Sequence, residues 1–219
     1  MTEISPAILT NDVADFRLRY AELFAVSHYF TKLHIDFIDG KFIENKTVMP
    51  ADLGFLKSSP MTLMAHFMTL EPQKYFIDAK EAGFKWVILQ FEAFGNIAQI
   101  TPVIDQAEKL DLKVGLSVSP ETPLYDIGKF INIVPLIQLM GIQPGFQGRP
   151  FIPATIGKIR ELRQLSKSVI IAVDGGIKIG IAGACAKAGA DILVTGSAIL
   201  KSEDEAMAVE ALKIDIENA

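Results

Sequence analysis

A closed barrel of eight parallel strands, each followed by a helix, is the fold this sequence predicts. Three observations predict it. Short apolar runs alternate with helical patterns eight times along 219 residues. Runs such as Val169-Ile170-Ile171-Ala172-Val173 are almost continuously apolar, as strands covered on both faces must be. No composition shift or Pro/Gly/Ser linker interrupts the alternation, so one α/β domain over residues 1–219 is expected. Eight units favour closure into a (β/α)8 (TIM) barrel over an open doubly wound sheet.

The elements follow in order. Ile4 to Leu9 forms the first strand, and Asn11 or Asp12 caps a helix running toward Phe24. His34 to Asp39 is the second strand, followed by a polar loop from Gly40 to Thr47 and a short helix from Ala51 to Leu56. The third strand is Thr62 to Met68, after which Pro72 suits the first turn of a helix ending at Gly83. Lys85 to Phe91 and Lys113 to Val118 are strands four and five, with helices at Ile97–Leu110 and Tyr125–Phe130. Leu136 to Ile142 is strand six, and Ala154 to Leu165 its amphipathic helix, with Ile156, Ile159, Leu162 and Leu165 at helical spacing. Val169 to Asp174 and Ile192 to Thr195 are the last strands, with helices at Ile181–Ala188 and Glu203–Ile216.

Composition narrows the function. The chain is 50% hydrophobic and 21% charged, enough to bury a full core. A net charge of −5 argues against a nucleic-acid footprint. The single cysteine, Cys185, excludes a disulfide framework and a cysteine-ligated zinc within one chain; its small-residue surroundings make it packing. No run approaches the roughly 18 apolar residues of a membrane span. Met1 to Ser5 does not open a signal peptide, so a cytoplasmic protein is expected.

The chemistry concentrates on strand two. Side chains two apart share a strand face, so His34, Asp36 and Ile38 point one way and Ile35 and Phe37 the other. A histidine and a carboxylate aimed into an apolar interior are costly unless they meet a cation or a network. Strand three repeats the device with His66 between Met64 and Met68, and strand seven ends on Asp174. Any one of these alone reads as a satisfied core residue. The four together, His34, Asp36, His66 and Asp174, read as ligands of one divalent metal, with Zn, Mn, Fe and Co all compatible. Glycines follow strands six, seven and eight at Gly145 and Gly148, Gly175-Gly176, and Gly196-Ser197. Each alone reads as a tight turn; three in the places where barrels bind phosphate point to a phosphate cradle.

At this point the sequence resembles the ribulose-phosphate 3-epimerase family over its whole length. The resemblance is carried by Pro6-Ala7-Ile8-Leu9, Leu33 through Gly40, His66-Phe67-Met68, Pro144-Gly145-Phe146-Gln147-Gly148-Arg149-Pro150-Phe151-Ile152-Pro153, Val173-Asp174-Gly175-Gly176 and Gly196-Ser197-Ala198-Ile199. It implies a barrel of the ribulose-phosphate-binding type and one divalent metal, most often zinc, on His34, Asp36, His66 and Asp174. It further implies that Asp36 and Asp174 form the catalytic acid/base pair. The substrate-binding set would comprise Ala7, His66, Met68, Met140, Gly145, Phe146, Gln147, Gly148, Asp174, Gly175, Gly176, Gly196 and Ser197. Met68 and Met140 resemble the family's thioethers over the reacting centre; soft core filler is the equal alternative. The implied reaction is epimerisation at C3 of a ketose phosphate through a metal-stabilised enediolate, with D-ribulose 5-phosphate and D-xylulose 5-phosphate the first pair. A homo-oligomer, at least a dimer, is also implied.

The sequence departs from the family pattern at several positions. Ala7 stands where a serine is usual, Ile38 for a methionine, and Met64 for an aspartate. Gln90 stands for a histidine while Glu92 is kept; Lys41 and Glu44 stand for a His and a Pro while Asn45 is retained. Gln147 replaces a glycine, and Gln143 an Asn or Glu. The changes at Ala7, Lys41 and Gln90 motivate a second reading, the same reaction on a ketohexose 6-phosphate such as allulose 6-phosphate. Those at Ala7 and Met64 motivate a third, a catalytically weak sugar-phosphate binder.

Overall fold

Eight parallel strands close on themselves, because the first pairs with the last as well as with the second. In the computed structural model, which describes residues 2–145 and 148–219, they are β1 (Glu3–Ile8), β2 (Lys32–Ile38), β3 (Thr62–Met68), β4 (Trp86–Gln90), β5 (Lys113–Val118), β6 (Leu136–Met140), β7 (Ile170–Asp174) and β8 (Ile192–Thr195). The ring is sealed where Ile4 faces Leu193 and Ser5 faces Val194. The expected (β/α)8 barrel is the observed one.

Alternation along each strand sorts its side chains. Leu33, Ile35 and Phe37 of β2 point outward into one continuous core with the surrounding helices, as do Leu63, Ala65 and Phe67 of β3. Phe37 stacks on Phe67 at 5.3 Å between ring centroids and meets Phe84 edge-on at 5.5 Å. Burying each such side chain stabilises the fold by about 1.5–3 kcal/mol relative to exposure. The opposite face fills the barrel: Met64, Trp86, Ile88, Leu136, Ala172, Ile192 and Val194 form a separate apolar cluster inside it.

The helices are α1 (Val13–Ala25), α2 (Phe76–Glu81), α3 (Ile100–Glu108), α4 (Ala154–Leu165), α5 (Ile181–Ala188), α6 (Ser197–Leu200) and α7 (Glu205–Glu217). Of the two candidate caps, Asp12 is the one used, its carboxylate accepting the Asp15 N–H at 2.9 Å. Two connections that the sequence predicts as short helices, after β2 and β5, are 3-10 turns at Pro50–Ser58 and Leu124–Phe130. Leu53 breaks the first of them with non-helical dihedrals. The helix expected from Pro72 begins instead as a 3-10 turn, Pro72–Tyr75, before α2. Among the α-helices, α6 is the one the sequence reading lacks, since four residues hold little more than one helical period. Cys185 is buried on α5, and burial pushes its thiol up to about 12, in keeping with a packing role. Among the described residues, no helix is long and apolar enough to cross a membrane.

Candidate active site

Register brings the polar side chains together. On neighbouring strands His34 lies opposite Met64 and Asp36 opposite His66, while Asp174 closes β7 across the barrel mouth. His34 and His66 are fully buried and Asp36 and Asp174 nearly so. His66 Nδ1 stands 2.9 Å from Asp36 Oδ1 and 3.6 Å from Asp174 Oδ2. His34 Nε2 stands 3.3 Å from Asp36 Oδ1 and 3.7 Å from Asp174 Oδ2. All four residues offer a ligand atom within 4.8 Å of the others. Around a tetrahedral ion with bonds of about 2.0–2.1 Å, ligand atoms stand about 3.3–3.4 Å apart. Two imidazole nitrogens and two carboxylate oxygens at this spacing fit one divalent transition-metal ion.

Neighbouring charges and hydrogen bonds drive the two carboxyls apart. Burial pushes Asp36 upward, but hydrogen bonds and charge from His34 and His66 outweigh it and hold the carboxyl well below its usual range. Asp174 receives burial and the Asp36 charge together, and rises to about 6 against the pull of the two histidines. Burial lowers His66, yet the hydrogen bond and charge of Asp36, the charge of Asp174 and a hydrogen bond to Gln90 raise it overall. Gln138 of β6 holds the second carboxylate in place, donating from Nε2 to Asp174 Oδ2 at 3.1 Å.

A cleft opens above the cluster. Ala7, Asp36, Met68, Met140, Gly145, Gly148, Asp174, Gly175, Gly176, Gly196 and Ser197 line it, so the sequence-predicted substrate residues converge, with three exceptions. His66 sits behind Asp36, away from the lining. Phe146 and Gln147 lie outside the described residues. Glycine is required at the β7 end: Gly175 has φ +98°, and a Cβ there would lie 2.3 Å from Ile142 Cγ1. A Cβ on Gly176, at φ +71°, would lie 2.8 Å from the Phe151 backbone. Leu9 and Ile142 also line the cleft. Their signal was available, since each lies two positions beyond a predicted residue, Ala7 and Met140, on the same face. Gln138 was missed too, although it is a polar residue within an apolar strand.

The departures from the family pattern among the described residues fall into three groups. Ala7 touches the cleft. Met64 belongs to the apolar cluster beneath it, Ile38 is buried, and Gln90 is buried beyond His66. Lys41 and Glu44 are exposed, Lys41 3.8 Å from Asp39, and Gln143 donates to Glu121. The retained Asn45 ties two loops, its Nδ2 donating to the Gly145 carbonyl at 2.8 Å.

Polar side chains gathered at the carboxyl ends of a closed parallel barrel define an enzyme of the (β/α)8 class. Residues 3–200 match the ribulose-phosphate 3 epimerase family. A ribulose-phosphate 3-epimerase of Chlamydia muridarum is 40% identical over 178 residues, covering 78% of this chain and 77% of its own. One from Synechocystis is 32% identical over 216 residues, covering 96% and 92%. Among solved structures, a KGPDC from Streptococcus mutans superposes with a TM-score of 0.77 at 10% identity, covering 99% of this chain and 98% of that one, a likeness of fold alone. The chain belongs to the ribulose-phosphate 3-epimerase family, whose enzymes are isomerases acting on carbohydrates.

Proposed function

We propose that this protein is a metal-dependent 3-epimerase interconverting D-ribulose 5-phosphate and D-xylulose 5-phosphate. The observation that carries the reading is the convergence of His34, Asp36, His66 and Asp174, with the two carboxyls lining the cleft and the two histidines behind them. Their donor set suits zinc first and Mn, Fe or Co next. When bound, a divalent cation supplies positive charge against the charge that develops on the substrate oxygens.

The rest belongs to the chain's own groups. Epimerisation removes a weakly acidic proton beside a ketone and returns one from the other side. Asp36 on β2 and Asp174 on β7 reach the cleft from different strands, as flanking carboxyls must. One of these two carboxyls accepts the C3 proton while the other returns one from the opposite side. In the reverse direction the roles exchange. Met68 and Met140 give the cleft apolar walls, which limit water around the intermediate. The turns at Gly145, Gly148, Gly175, Gly176, Gly196 and Ser197 allow backbone N–H groups to approach the phosphate.

Of the three changes that suggest a ketohexose 6-phosphate, only Ala7 is among the lining residues, which favours the pentulose. We read the chain as one barrel domain working in the cytoplasm, and as at least a dimer. The exposed side chains of Tyr125, Ile133 and Leu165 support self-association. The test is elemental analysis of the purified protein alongside solvent deuterium exchange at C3. Turnover of the pentulose with deuterium incorporation is expected. Inactivity on it with turnover of allulose 6-phosphate overturns the substrate, and ligand-induced thermal stabilisation without any deuterium entry overturns catalysis.

A further inference from the structure

A buried chain of hydrogen bonds leads away from the cluster through His66. That ring faces Asp36 and Asp174 with Nδ1, and its other nitrogen, Nε2, stands 2.9 Å from Gln90 Oε1. The Gln90 amide nitrogen donates to Glu92 Oε2 and stands 3.3 Å from Ser119 Oγ. Glu92 is itself fixed, since its Oε1 accepts the Ser119 backbone N–H at 2.8 Å and the Thr122 hydroxyl. His66 and Gln90 are fully buried, and Gln90 is not among the residues lining the cleft.

The direction of every bond follows from donor and acceptor chemistry. A carboxylate only accepts, so the Gln90 atom facing Glu92 is its NH2 group. The Gln90 carbonyl therefore faces His66, and because it too only accepts, His66 Nε2 carries a hydrogen. Nδ1 shares its proton with the Asp36 carboxylate at 2.9 Å, and a cation taking that proton's place would leave a neutral imidazole whose one hydrogen stays on Nε2 and whose Nδ1 lone pair faces the cation. His34 has no such restraint: its Nε2 faces the cluster, and its buried Nδ1 has no hydrogen-bond partner among the described residues.

We infer that Gln90, anchored by Glu92, is a positioning residue that holds His66 in the Nε2–H tautomer and so presents Nδ1 as a cation ligand. The inference rests on the metal-centre reading given above. It assigns a task to a residue outside the cleft lining that, among the described residues, hydrogen-bonds to His66 alone of the four candidate ligands.

The experiment uses the zinc-loaded full chain. Long-range proton–nitrogen NMR on histidine-labelled protein should show His66 with Nε2 protonated and Nδ1 coordinated. Chelator competition should show zinc held about 10–100-fold more weakly by Gln90→Met, which keeps the length but loses the acceptor. Gln90→His should recover most of that loss, because a neutral imidazole can accept from His66 with one nitrogen and donate to Glu92 with the other. Coordination of zinc through His66 Nε2, or wild-type affinity in Gln90→Met, overturns the inference. The NMR arm decides it even if the variants do not fold. A wild-type protein that retains no divalent cation overturns the metal reading itself and the relay with it, before any substitution is made.

Discussion

The two halves of the barrel interior are built in opposite ways from the same strands. Low in the barrel, Met64, Trp86, Ile88, Leu136, Ala172, Ile192 and Val194 pack as an apolar plug. Above it, the inward positions become His34, Asp36, His66, Gln90, Ser117, Gln138 and Asp174, all buried. On β6 the change takes one step, from Leu136 to Gln138; on β7 it runs from Ala172 to Asp174. Burying the lower set stabilises the fold, whereas burying the upper set costs free energy unless every group is paired. On the proposed function the upper layer carries the chemistry, and the lower layer supports it.

Asp174→Asn breaks that comparison most sharply. It removes one arm of the proposed proton transfer, and C3 exchange should fall by about 10²–10⁴-fold or more. The fold should survive, because the substitution relieves the charge burden that raises this carboxyl. Deuterium exchange and thermal melting on the same sample check both halves, and near wild-type exchange contradicts the role. His66→Ala should act next most strongly, lowering bound metal and activity together. Full metal occupancy in that variant removes His66 from the ligand set.

Leu136→Ala is the complementary break. This residue is fully buried in the plug, and truncation should cost about 2–5 kcal/mol of stability. Metal content and C3 exchange per folded molecule should remain close to wild type. Denaturant melts with metal analysis test it, and loss of metal at unchanged stability would mean the two layers are not separable.

The comparison also explains what the sequence could reveal. The outer core was legible because alternation is strict there: Leu33, Ile35 and Phe37 against His34 and Asp36 needs only a period of two. The four candidate ligands were legible because charged groups within apolar strands are expensive and therefore conspicuous. Gln90 and Gln138 were harder, since an uncharged amide can also cap a strand or meet water, and its partners lie on other strands. That Gln90 meets His66 depends on barrel shear and register, which no local pattern encodes. The 3-10 turns after β2 and β5 escaped for a related reason, because short connections are shaped by packing against the barrel more than by propensity.

Titration offers the finest test, since only the upper layer can respond to pH. In the metal-free protein Asp36 lies below its ordinary value, so its contribution is present at neutral pH and is lost as pH falls through its folded value. Asp174 runs the other way. Its folded value of about 6 lies above its ordinary value of 3.8, so the fold loses stability as pH rises through that window. His66 is raised as well, so its contribution is complete below its ordinary value of 6.5 and disappears as pH climbs through the folded one. Both of these effects lower the melting temperature of metal-free protein between about pH 5 and pH 8. Zinc-loaded protein should show a flatter or reversed slope, because a cation binds the deprotonated ligands and holds them more tightly as pH rises. Leu136→Ala should shift each curve downward without altering its slope, as the plug carries no titrating group. Melting curves at both pH values, with and without zinc, measure this, and a metal-free protein that melts higher at pH 8 than at pH 5 contradicts the assigned signs.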